Sequence, residues 1–142
     1  MPLCLSSLTG NVDICTMLLS KGANVNVKKN DGISALHIAT QNHHGNIVKL
    51  LLKYVVRVNS QDNDGRTDLH STFYNGCNEA VEEVANLLIS YEADINAQDE
   101  NGKTPLIVLI INGEFYAGSG FQNGMEIMDK QLQPIKHEGE GV

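Results

Sequence analysis

No apolar run in this 142-residue chain is long enough to cross a bilayer. The longest, residues 106–111, falls far short of the roughly 20 residues that a spanning helix needs. Membrane insertion is therefore not expected. Basic residues are scarce as well: 10 Lys+Arg stand against 17 Asp+Glu, a formal net charge of −7. No Lys/Arg stripe offsets that balance, and an acidic surface repels a phosphate backbone, so direct nucleic-acid binding is not expected. The three cysteines, Cys4, Cys15 and Cys77, are scattered and form no C-x-x-C. They make neither a disulfide framework nor a zinc site. The start of the chain carries no basic n-region, and Asp13 interrupts the one stretch like a signal h-region. No Asn-x-Ser/Thr acceptor occurs, although asparagine is abundant. These absences suit a reducing, intracellular setting, cytoplasmic or nuclear. What remains, 42% hydrophobic and 19% charged, is the composition of one globular domain.

The chain repeats itself. Asn30-Asp31-Gly32 returns 33 residues later as Asn63-Asp64-Gly65, and after a further 37 as Asn101-Gly102 preceded by Glu100. Each glycine is followed by a short motif: Ser34-Ala35-Leu36-His37, Thr67-Asp68-Leu69-His70, then Thr104-Pro105-Leu106-Ile107. A leucine-rich run and an asparagine precede each turn: Leu18-Leu19 with Asn26, Leu50-Leu51-Leu52 with Asn59, Leu87-Leu88-Ile89 with Asn96. By the same count Met1-Pro2-Leu3 stands where the first motif belongs, so the first unit lacks its loop.

The pattern resembles the ankyrin repeat over about residues 1–113, in period and in the T-P-L-H-x-A signature. The resemblance implies an all-α repeat solenoid: stacked helix–loop–helix units joined by projecting β-turn loops. The units would be 1–30 (truncated at its start), 31–63, 64–100 and a degenerate 101–132, with 133–142 a disordered tail. Local chemistry agrees. Ser34, Thr67 and Thr104 are N-cap residue types, and Pro105 suits a first helical position, where its missing N–H costs nothing. Asp68 takes that place in the third unit, where its charge is expected to favour the helix N-terminus. The first helices should stop near Gly10, His43, Gly76 and Gly113. The second helices carry the i, i+3, i+4 spacing of buried helices, as in Ile14, Met17, Leu18 and in Ile47, Leu50, Leu51.

Departures are equally visible. Gly22 ends the first long helix, but Val55 and Glu92 stand at the matching positions. A β-branched residue at positive φ costs on the order of 1–2 kcal/mol, so the turn after Leu52 should be strained or rebuilt. Four extra residues lengthen the third unit around Cys77 and Asn78. Leu109 and Ile110 replace a small pair, and residues 114–124 are glycine-rich; residues 125–132 would form a weak final cap. With one end lacking its loop and the other degenerate, the two central units should hold best, and the chain reads as one portion of a longer array.

Catalysis has little to stand on. His37 and His70 each follow a hydroxyl residue by three, but in the resembled family such histidines bond the N-cap hydroxyl and a neighbouring backbone group. His43-His44 reads as a helix stop beside an interface residue, because adjacent side chains at a helix end do not converge on a metal. Cys15 falls on a buried helix face, and no basic neighbour in sequence activates Cys77. The Asp-Gly and Asn-Gly pairs are turns, since no phosphate-binding glycine motif surrounds them. No catalytic residue, metal site or cofactor is expected.

What is left is a surface for another protein. The resemblance implies contacts from the β-turn tips and from the exposed side of the first helices. The tips carry Lys28, Asn30, Asp31 and Ile33, then Gln61, Asn63, Asp64 and Arg66, then Gln98, Glu100, Asn101 and Lys103. The helices add Ile38, Gln41 and Asn42, then Ser71, Tyr74 and Asn75, then Val108, Ile111 and Asn112. Ile33, Arg66 and Tyr74 stand out, as aromatic and arginine side chains are enriched at hot spots; Gln41, Asn42, Asn75, Glu100 and Lys103 complete the expected set. Phe73 is expected in the core. A non-catalytic adaptor fits best. The alternatives are a structural ankyrin segment of a larger protein, such as a channel's cytosolic portion or a cytoskeletal tether, and a masking protein similar to the inhibitors of NF-kappaB. Leu88 followed by Asp94-Ile95-Asn96 also resembles the site of a 2-oxoglutarate-dependent asparaginyl hydroxylase, with Asn96 as the modified residue.

Overall fold

The computed structural model describes residues 1–54, 56–74 and 78–113. Seven helices form among them: α1 (Pro2–Thr9), α2 (Val12–Ser20), α3 (Ala35–Gln41), α4 (Gly45–Leu52), α5 (Asp68–Phe73), α6 (Glu79–Ser90) and α7 (Pro105–Gly113). No strand occurs among the described residues; one isolated bridge joins Lys28 and Ser34 at the first turn. The first helices stack as α1, α3, α5 and α7, and the second as α2, α4 and α6, in two parallel layers. The expected helical solenoid is what the chain forms.

The first helices α3, α5 and α7 start where the hydroxyl residues predict. Ser34 and Thr67 cap α3 and α5 in extended backbone, and their side chains and main chains engage His37 and His70 in a capping box. Pro105 opens α7. The stops also fall as expected, with Gly10 at φ 77° and His43 at φ 56°. His44 does more than follow a stop: its Nε2 hydrogen-bonds the Leu8 carbonyl at 3.2 Å, and its ring lies 3.0 Å from where a Cβ on Gly10 would be.

The core lies between the layers. Leu36, Ile47, Val48, Leu51, Leu69, Phe73, Val84 and Leu88 are buried side by side, Phe73 as anticipated. Cys15 is buried against Ser6, its Sγ 3.1 Å from that hydroxyl.

The second turns differ in the way the substitutions foretell. Glu92 takes φ 67° and reproduces the bonding of Gly22: Ala93 N–H donates to Leu88, as Ala23 N–H does to Leu18. In the middle unit that bond is absent among the described residues, and Val56 N–H donates to the Tyr54 carbonyl at 2.8 Å instead. Val55 itself lies outside the described residues, as do Asn75, Gly76, Cys77 and residues 114–142.

Candidate functional site

The projecting turns lock onto one another. Lys29, Asp62 and Asp99 each open a turn closed by an N–H from Gly32, Gly65 or Gly102, all at positive φ. Asp31 C=O accepts from Asn63 N–H, and Asp64 C=O from Glu100 N–H, both at 2.9 Å. A Cβ on Gly32 would stand 2.8 Å from Asn63 N, and one on Gly65 2.8 Å from Glu100 N. Glycine is required there twice over, by conformation and by the next turn's approach.

Two carboxylates brace these turns from inside. Asp62 Oδ1 accepts the N–H groups of Asp64 and Arg66, and Asp99 Oδ1 those of Asn101 and Lys103, at 2.9–3.0 Å. Sequence reading passed over both. The repeat period aligns Asp62 with Asp99, and that match was the available signal.

The histidines fasten each turn to the unit before it. A carbonyl only accepts, so His37 Nε2–H donates to Arg66 C=O (3.0 Å) and His70 Nε2–H to Lys103 C=O (2.7 Å). Nδ1 of each is left to face the cap hydroxyl, Ser34 or Thr67, at 2.9 Å. Burial holds the His37 imidazole below its ordinary range, with the bond to Arg66 acting the other way. These bonds are structural ones.

Asp68 departs from expectation. Its residue is fully buried, and neither carboxyl oxygen has a hydrogen-bond partner among the described residues; Oδ1 lies 3.4 Å from His37 Nδ1. Asp68 does stand in the first turn of α5, but burial opposes the charge expected to favour the helix N-terminus. The preceding unit covers the position, and burial pushes the carboxyl well above the usual carboxylate range.

Between the turns and the first helices lies Arg66, whose guanidinium is 4.9 Å from the Tyr74 ring centroid. The pair separates two hollows. One, of about 190 Å³, is lined by Ile33, His37, Gln41, Asp62, Asp64 and Ser71; the other, about 220 Å³, by Asp99, Lys103, Val108, Ile111 and Asn112, with Arg66 and Tyr74 shared by both. Ile33, Gln41, Arg66, Tyr74 and Lys103 are thus brought together. Asn42 instead caps α3, its Nδ2 donating to Ile38 C=O at 2.8 Å. Glu100 is exposed and joined to the neighbouring turn through its main chain. Asn75 lies outside the described residues.

Asn96 is exposed, and its N–H donates to Asp94 Oδ1. Asn26 N–H donates to Asn24 Oδ1 in the same way, and the side chains of both counterparts, Asn26 and Asn59, reach the next unit. Asn26 Oδ1 accepts from Arg57 N–H, and Asn59 Oδ1 from Asp94 N–H, so each holds the unit that follows. Among the described residues no three His, Cys, Asp or Glu side chains gather as a metal ligand set. No helix there is long and apolar enough to cross a membrane.

A family model described as "Ankyrin repeats (3 copies)" matches residues 3–86. The chain belongs to the ankyrin-repeat family. Ankyrin repeats are in general protein-interaction modules, typically without catalytic activity. One relative, from Oryza sativa subsp. japonica, is named "Probable E3 ubiquitin-protein ligase XBOS33"; it is 40% identical over 76 residues, 53% of this chain and 15% of that protein. Another, from Acanthamoeba polyphaga mimivirus, is named "Putative ankyrin repeat protein L371"; it is 42% identical over 53 residues, 37% of this chain and 7% of that one. The chain therefore spans a small part of the length of either relative.

Proposed function

We propose that this ankyrin chain is a non-catalytic adaptor that binds another protein along its concave surface. The observation that carries the reading is the Arg66–Tyr74 stack between two hollows. The side chains are half-exposed, yet Arg66 is held through its main chain: its N–H bonds Asp62, and its C=O accepts from Asp62 N–H and His37 Nε2–H. Little backbone freedom is left to lose on binding at this position, which favours a hot spot. Ile33, Gln41 and Lys103 border it; Asn42 and Glu100 are assigned to the margin of the surface, and Asn75, outside the described residues, is kept as a proposed contact. An intracellular setting, cytoplasmic or nuclear, goes with this reading on sequence grounds. The test is capture from lysate by the native chain and by an Arg66→Ala/Tyr74→Ala double variant of unchanged melting temperature. Proteins held by the first and lost by the second support the reading; identical capture by both refutes it.

A second reading, a structural portion of a longer array, rests on the outer face of α1 and α2. Leu5 and Ile14 are 63% and 42% exposed, whereas their counterparts one unit on, Ile38 and Ile47, are 9% and 0% exposed. Interior units bury these positions against a neighbour. Fusing an ankyrin repeat ahead of Met1 should raise the melting temperature if that face stacks; an unchanged value counts against it.

Asn96 is proposed as a hydroxylation site. Unlike Asn26 and Asn59, its side chain bonds nothing among the described residues. Mass spectrometry of its peptide after co-expression with an asparaginyl hydroxylase decides, an unmodified mass refuting the assignment.

A further inference from the structure

The donors and acceptors around the Arg66–Tyr74 stack are unevenly used. Asp62 and Asp99 each accept two main-chain N–H groups, so these carboxylates are turned inward to hold the turns. Asp99 is 8% exposed. Arg66 stands in contrast. Among the described residues its guanidinium donates no hydrogen bond; its one ionic neighbour, Asp64, is 3.8 Å away, beyond hydrogen-bonding distance. Lys103 likewise has no side-chain partner there, its main chain alone being bonded to Asp99 and His70. Both cations line the hollow whose other walls are Tyr74, Asp99, Val108, Ile111 and Asn112, the Asp99 carboxylate being the one turned inward to its own turn. The amide N–H groups of Asn112 are directed to the Phe73 and Val108 carbonyls, so the side-chain donors left open in this hollow are those of the two cations.

We infer that this hollow receives an acidic side chain of the partner, an Asp or Glu next to an apolar residue. The carboxylate takes the free guanidinium edge of Arg66, with Lys103 alongside, and the apolar neighbour covers Val108 and Ile111. A guanidinium stacked on an aromatic ring keeps its planar edge free, and that edge matches a carboxylate in two parallel bonds. The ring beneath it also limits the motion that binding would otherwise have to freeze. The other hollow, with Asp62 and Asp64 in its wall, lacks such a donor apart from the shared Arg66. The inference rests on the concave-surface reading above and narrows it to a chemical class.

The test pans a positional-scanning library of heptapeptides, acetylated and amidated so that no terminus contributes charge, on the whole 142-residue chain. The expected result is enrichment of Asp or Glu at one position beside Leu, Ile, Val or Phe. A selected peptide should lose about 10-fold or more in affinity when its acid becomes the amide, as a charge-assisted bond would imply. Arg66→Gln should cause a similar loss, and the amide peptide should bind native chain and Arg66→Gln equally. Arg66→Lys, which keeps charge without the planar fork, should fall between. Melting curves confirm that each variant is folded. Peptides that depend on Tyr74 but show no acidic preference, or prefer Lys or Arg, overturn the carboxylate assignment while leaving the groove standing. Peptides whose retention ignores both Arg66 and Tyr74 overturn the groove as well.

Discussion

Arg66 lies over Tyr74 although the first belongs to a turn and the second ends helix α5, eight positions later. The short helix between them brings the turn and its own C-terminus to the same side of the unit. Asp64, at 3.8 Å, flanks the guanidinium without holding it. The stack thus joins a loop residue to a helix residue within one repeat, and both line the two hollows.

Removing the stack should leave the fold nearly intact. Arg66→Ala keeps every main-chain bond of that residue, and an exposed cation–π pair contributes about 0.5–1 kcal/mol. Urea midpoints of Arg66→Ala and Tyr74→Ala should therefore lie within about 1 kcal/mol of the native chain. A much larger loss would make the pair a fold element rather than a binding one.

Asp68 should be a liability at neutral pH. Its carboxyl is fully buried with no hydrogen-bond partner among the described residues, and its folded pKa is raised. The sign follows: the stability it contributes is fully present below the unfolded value of 3.8 and is lost as pH rises through the folded value. Asp68→Pro fits the first helical position, as Pro105 does, and Thr67 already has the extended backbone a following proline needs. The variant should be more stable by about 1–3 kcal/mol at pH 7, with the gain shrinking towards pH 4. Equal loss at every pH would show that the buried carboxyl is contributing a contact.

His37 acts in the opposite direction. Its folded pKa is lowered from 6.5, so its contribution is present above that value and is lost as pH falls through the folded one. Equilibrium unfolding should show the native chain weakening on acidification below about pH 6.5. His37→Gln, which lacks the titration, should be less stable at pH 7 and show a shallower acid slope. An unchanged slope would place the acid sensitivity elsewhere.

Glycines at the turn tips should not be equivalent. Gly65 and Gly102 have nearly the same φ, 76° and 77°, but a Cβ on Gly65 would meet Glu100 N at 2.8 Å, while nothing lies within 4 Å of one on Gly102. Gly102→Ala should cost about 1–2 kcal/mol for the left-handed backbone alone. Gly65→Ala should cost more, since the next turn must also move. Thermal unfolding of the two variants measures the difference, and equal losses would show that the turns are not tightly interlocked.

Much of this architecture was legible in the residues because its determinants are local. A hydroxyl before a helix, a glycine at positive φ and a leucine run at helical spacing act within a few residues, and the period repeats them. The helix starts at Ser34, Thr67 and Thr104, the stops at Gly10 and His43, and the altered turn after Leu52 all follow from such signals. The tertiary structure decided matters that depend on what an adjoining unit covers. Asp68 reads as a favourable helix charge until the unit before it takes away its water. Asn26 and Asn59 read as local turn residues, but their side chains brace the following unit. Arg66 and Tyr74 were each recognisable as binding residue types, whereas their stacking, and the unbonded donors beside Lys103, arise from the folding of turn against helix. Sequence determined the repeat and its local bonds because those interactions are short in range. Only packing could decide which charged groups are buried, which are bonded and which remain free for a partner.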